Sequence, residues 1–254
     1  MLTVLVITFI VAKYLNNSGG VFLIPDIEKK IKATIQDPES AAVLLGAVTS
    51  TKLAGQRLAR RLNAYRKLLA LLIEDRYAPR QELEAIFEAI MHAQHQFQGE
   101  LIEGRLAFVK NITREEFVTF TDPDSRKTSK NQRASGKRWE KIRFDTNNRL
   151  EGIKTRVLAV IDAPERSAEA VSAVENYRER MDTLLGELTE WNFRDNSVLK
   201  DFGASEAHLW EITEKLNSLR EACYAAFIEL YFQLASLSSD DEWNATLKTM
   251  KSLM

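Results

Sequence analysis

Apolar residues recur at three- and four-residue steps along most of this chain. Leu209, Ile212, Leu216, Leu219, Cys223, Phe227, Leu230 and Leu234 form the clearest stripe, and Leu83, Ile86, Ile90, Phe97, Leu101 and Phe108 form a second. A period near 3.6 residues predicts amphipathic helices whose apolar faces seek other helices. Polar punctuation marks where they begin. Thr113 with Glu116, and Ser239 with Glu242, have the spacing of capping boxes, each opening a short helix. Pro38 and Pro164 suit the first turn of a long helix, where a missing N–H has no intrahelical partner, and Asp37 or Asp162 is the expected cap. These long helices are expected to run to about Asp75 and Arg194, with "NSVLKDFG" forming a connection in the second case. "RYAPR" supplies a tight turn, so the long helix before it and the one after it predict an antiparallel hairpin.

The two capping boxes lie 126 residues apart, and sliding the chain by that amount aligns much more. Without a gap, Ile27 meets Ile153, Ile31 meets Val157, Ile35 meets Ile161, Pro38 meets Pro164, Leu62 meets Leu188, Leu83 meets Leu209 and Phe117 meets Trp243. Matches fall on prolines, caps and apolar positions, as expected of two halves that share a backbone plan and differ at their surfaces. Each half then holds four helical segments, the first spanning Pro25 to Ile35 or Arg149 to Ile161. The predicted fold is all-α, with two tandem related helical hairpin modules at 22–121 and 148–254. A basic linker at 122–147 joins them, and an apolar helix with its turn, 1–21, precedes them.

Composition agrees with helices. Among 254 residues, ten Gly and five Pro are few, and 45% apolar residues suffice for a core. Lys+Arg of 35 against Asp+Glu of 36 leaves a formal charge of -1, so no global field recruits nucleic acid, which is not expected as a partner. One cysteine, Cys223, excludes an internal disulfide and a multi-cysteine metal site.

"MLTVLVITFIVAKYL" carries no charge before Lys13. As a helix its length of about 22 Å falls short of the roughly 30 Å hydrocarbon core, a marginal span. Without a basic n-region or a small-residue cleavage site, residues 2–15 read as a retained membrane anchor, with a cleaved signal or a buried helix as alternatives. Lys13, Lys29, Lys30 and Lys32 follow the run, which places the body on the cytoplasmic face by charge bias, the periplasmic side being the alternative.

Few constellations carry chemistry. Glu88, His92 and His95 share one helix face and form a candidate set of ligands for a divalent transition metal, to be weighed against a solvated face. Arg126, Lys127, Lys130, Lys137 and Arg138, with Trp139 among them, form the one local positive excess and a candidate contact for phosphate or anionic lipid. Cys223 sits on an apolar stripe, where a thiol is ordinarily inert. No nucleophile elbow, phosphate loop or dinucleotide fingerprint is present, so neither enzyme activity nor a cofactor is expected.

"FLIPDIEKKI" and "NITREEF" open the first and last helices of the first half. Leu23, Ile24, Pro25 and Asp26, and then Ile112, Thr113, Arg114 and Glu115, resemble degenerate copies of the L-T-P-E-Q signature of Spy/CpxP-type helical hairpin envelope proteins. The resemblance covers about 100 residues of the first half. It implies an extracytoplasmic chaperone or metal-responsive sensor, with client or metal binding on the hairpin near His92 and His95. The residues read by themselves point instead to a non-enzymatic, membrane-anchored helical scaffold or assembly subunit that binds a protein partner or forms a homo-oligomer. The motive is surplus apolar surface, since one hairpin cannot bury both its stripes alone.

Overall fold

Prolines, caps and apolar stripes translate into eight helices in the computed structural model, which describes residue 24, residues 26–121 and residues 144–250. They are α1 (Ile27–Thr34), α2 (Pro38–Leu72), α3 (Arg80–Lys110), α4 (Arg114–Thr121), α5 (144–160), α6 (Pro164–Leu199), α7 (Glu206–Leu237) and α8 (Asp240–Met250). Among the described residues there is no strand, and the fold is all-α. α2 starts where Asp37 accepts the backbone N–H of Ser40 at 2.8 Å and Pro38 occupies the first turn. α7 starts at Ser205, whose hydroxyl accepts from the N–H of His208 at 3.2 Å.

Two antiparallel hairpins, α2/α3 and α6/α7, meet through their second helices, so that α3 packs on α7 while α2 and α6 lie outside. The stripes predicted from sequence face the core, with Ile86 and Leu101 half-buried. Leu83, Ile90, Phe97 and Phe108 on α3 and Leu209, Leu216, Cys223, Phe227 and Leu234 on α7 are all buried. Phe87 of α3 stacks on Tyr224 of α7 at 4.7 Å between centroids and meets Phe227 edge-on at 6.0 Å. Such pairs add about 0.5–1.5 kcal/mol beyond the area they bury. A smaller core gathers Ile24, Ile27, Ile31, Leu44, Val48, Phe108, Phe117 and Phe120 under α1 and α4.

The helix boundaries keep one offset. α2 and α6, α3 and α7, and α4 and α8 begin 126 residues apart, and α1 ends at Thr34 where α5 ends at residue 160. Both capping boxes form. Thr113 N–H donates to Glu116 at 2.7 Å and Glu116 N–H to the Thr113 hydroxyl at 3.2 Å. Ser239 and Glu242 do the same at 2.6 and 3.3 Å.

Several expectations are corrected. Ala163, not Asp162, is the N-cap of α6 and gives no side-chain bond; in the 126-residue register it is Ala163 that falls on Asp37. α6 also runs through "NSVL" to Leu199 instead of stopping at Arg194, because Val198 and Leu199 continue its apolar face into the core. α5 is helical from residue 144, five residues before the expected start, with Thr146 and Leu150 buried.

The membrane-anchored localisation is corrected as well. Among the described residues no helix is long and apolar enough to cross a membrane. The long helices have the length, but each gathers its apolar residues on one buried face and places charges on the other, which hydrocarbon does not accept. Residues 2–15 lie outside the described residues, and the cytoplasmic placement, which rested on them as an anchor, falls with it.

Candidate functional site

Midway along the largely apolar seam between α3 and α7 lies a buried polar network. Gln98 Nε2 donates to Asn217 Oδ1 at 3.1 Å, Asn217 Nδ2 donates to Gln98 Oε1 at 2.9 Å, and Arg220 Nη1 donates to Asn217 Oδ1 at 2.8 Å. Turning the Gln98 amide by half a turn lets its oxygen accept from Arg220 at 2.9 Å, so the three side chains form one network in either orientation. Gln94, also buried, lies one turn before Gln98. Buried amides paired across two helices hold one register, because any slip leaves them unsatisfied in a medium without water.

At each end of this seam the turn that follows the first long helix of one hairpin docks on the far end of the other hairpin. Arg105 of α3 is buried; its Nε donates to Leu199 O at 3.0 Å and its Nη2 to Asp201 O at 2.9 Å. The same guanidinium lies 4.7 Å over the ring of Phe117, and Phe202 meets both Phe117 and the guanidinium of Arg114. At the opposite end the Tyr231 hydroxyl donates to Asp75 O, and its ring meets Trp243 edge-on at 5.3 Å. Arg76 there donates to Ala235 O and to Asp240, both at 2.8 Å. Each partner at one end stands 126 residues from its counterpart at the other: Asp75 and Asp201, Arg76 and Phe202, Arg105 and Tyr231, Arg114 and Asp240, Phe117 and Trp243. The positions correspond while the chemistry differs, one clasp being aromatic and cationic and the other an ion pair with a buried indole.

Glu242 joins the second clasp to α6. Besides its capping bonds it accepts from Arg166 Nη1 at 2.7 Å and Nη2 at 3.0 Å, and from the Asp162 N–H at 3.3 Å. Arg166, followed by the Ser239 N–H, holds its carboxyl down at about 2. A carboxylate depressed on folding contributes stability that is complete above its unfolded value of 4.5 and is lost as pH falls toward 2. Glu242→Gln is therefore expected to lower stability near pH 7 by about 1–3 kcal/mol and to flatten the acid limb between pH 4.5 and 2. Urea denaturation across that range measures both effects, and an unchanged acid limb would remove the assignment.

The sequence-derived candidates are dispersed. Glu88, His92 and His95 are exposed on α3, and the His95 ring rests 5.2 Å from that of Trp210. Among the described residues no three His, Cys, Asp or Glu side chains are gathered as a metal site. Arg126, Lys127, Lys130, Lys137 and Arg138 lie outside the described residues. Cys223 is buried, and loss of hydration pushes its thiol up to about 12 despite the nearby Arg180 and Arg220. It is not a nucleophile at neutral pH.

The feature missed from sequence is the solvent side of α2. Val43, Leu53, Leu68 and Leu71 are 46%, 49%, 51% and 65% exposed. They share that face with Gly46, Ser50, Arg57, Arg60, Ala64 and Lys67 at steps of three and four residues, opposite the buried Leu44, Val48, Thr51, Leu58, Leu62 and Leu69. α2 holds six basic side chains against one acidic, a net +5. Arg57 pairs with Glu100 and Lys52 with Glu28, while Arg60 and Lys67 form no ion pair among the described residues. The signal was present in the sequence, but only a charge count taken helix by helix finds it; the total of -1 conceals it. No protein-family model, curated protein or solved structure matches this chain.

Proposed function

We propose that this chain is a non-enzymatic helical scaffold or assembly subunit, and that a protein partner docks on the outer face of α2. The observation that carries the reading is that face itself: four large apolar side chains between a third and two thirds exposed, interleaved with arginine and lysine, on a helix whose other side is already committed to the core. A partner helix with apolar and acidic residues matches its chemistry. We also propose that the two sets of four helices derive from one module used twice, supported by the constant offset of their boundaries and by the correspondence of the two clasps.

A photo-crosslinking phenylalanine analogue placed at Leu53 or Leu71 of the full chain, in the cells that make it, tests the docking. The expected result is a discrete protein adduct at both positions, well above the yield of the same analogue at His92, which is exposed on α3. Equal yields at all three positions would overturn the reading.

A further inference from the structure

The outer face of α6 is the positional counterpart of the outer face of α2, and its charge is opposite. At the 126-residue offset Val43 corresponds to Glu169, Gly46 to Ser172, Ser50 to Asn176, Leu53 to Glu179, Arg57 to Thr183, Arg60 to Gly186 and Ala64 to Glu190. All seven of these α6 residues are exposed, as is Arg180 beside Glu179. α6 carries eight acidic residues against four basic, a net -4, where α2 carries +5. Both are the outer helices of their hairpins, so each presents this face away from the α3–α7 seam.

We infer that the partner of the α2 face is the α6 face of a second copy of this chain. The inference rests on the scaffold reading above and names its partner. Arg60 and Lys67 of one copy face a helix rich in Glu169 and Glu179 of the next, while the small residues Gly46, Ser172 and Gly186 allow close approach of the two backbones. Val43, Leu53 and Leu71 then lose water against the small side chains and the methylene stems of the glutamates. Two unlike surfaces make a heterologous contact, in which each pair leaves one α2 face and one α6 face unused and further copies can add. Exposed charges and one pair of helices per contact make the association weak and salt-sensitive.

Sedimentation velocity of the purified full chain over a range of protein concentrations tests this. The native chain is expected to show a mass that rises with concentration, and raising NaCl from about 50 to about 500 mM is expected to weaken the association about tenfold. Arg60→Glu with Lys67→Glu, and separately Glu169→Lys with Glu179→Lys, are each expected to weaken it about tenfold or more at low salt. Mixing these two double variants restores it, because each reversed face now meets a reversed partner. All four positions are exposed, so circular dichroism melts should match the native chain. A native chain that stays monomeric, reversals without effect, or a mixture that fails to reassociate would each overturn the inference. A monomeric chain that still yields a discrete adduct to another protein from Leu53 leaves the scaffold reading standing and removes only the second copy; equal adduct yields at Leu53, Leu71 and His92 remove the scaffold reading itself.

Discussion

Trp243→Ala is expected to lower the unfolding free energy by about 3–5 kcal/mol, one of the two largest single effects in this molecule. The indole is buried, meets Tyr231 edge-on at 5.3 Å, and belongs to the core shared by both hairpins. Alanine would leave a large cavity between α7 and α8, where α8 has only three turns with which to close it. Its N–H finds no acceptor among the described residues, so nothing polar is lost when the ring is exchanged for another. Trp243→Phe is therefore expected to cost less than about 1.5 kcal/mol. Urea denaturation of the two variants measures the contrast. A similar loss in both would mean that the position depends on something other than filled volume.

The second large effect is expected at Arg105. Alanine in its place should cost about 2–4 kcal/mol, because the carbonyls of Leu199 and Asp201 lose their donors while staying beneath the chain. Met at this position restores most of the volume over Phe117 and none of the donors, so it is expected to recover less than half of the loss. Lys restores the charge without the planar fork that reaches two carbonyls at once, and is expected to fall between. If Met were as stable as the native residue, packing alone would account for Arg105, and the hydrogen-bonded clasp would not be what holds the turn at Asp201.

The two predictions concern corresponding places, and the comparison explains what could be read in advance. Phe117 and Trp243 both fall on apolar periods behind a capping box, so their burial was legible from spacing alone. Arg105 and Tyr231 were not legible as partners of the turns at Asp201 and Asp75, since a donor and a carbonyl some 94 to 156 residues away share no local signal. The same holds for Gln98 and Asn217. Gln98 reads as a polar surface position on α3, and only the approach of α7 places an acceptor and a donor against it. The end of α6 was not legible for a different reason: helix ends depend on whether the next apolar residue finds a core, and Val198 and Leu199 find one. The cap differs by one residue, because the 126-residue register places Ala163, not Asp162, against Asp37.

Glu88, His92 and His95 stand on the side of α3 away from its apolar stripe, and among the described residues no three His, Cys, Asp or Glu side chains are gathered as a metal site. The charge asymmetry between α2 and α6 is present in the sequence, but the whole-chain total cancels two helices of opposite sign.

By itself the sequence determined the helices, most of their starts, the faces they bury and the offset that relates them, because those follow from periodicity and capping within a few turns of chain. Tertiary structure alone decided which helices touch. It put α3 against α7 and left α2 and α6 outside, satisfied Gln98, Asn217 and Arg105 across distant segments, and made one face of α2 an open surface. Such outcomes depend on how separate apolar stripes share a single core, and no local pattern encodes that division.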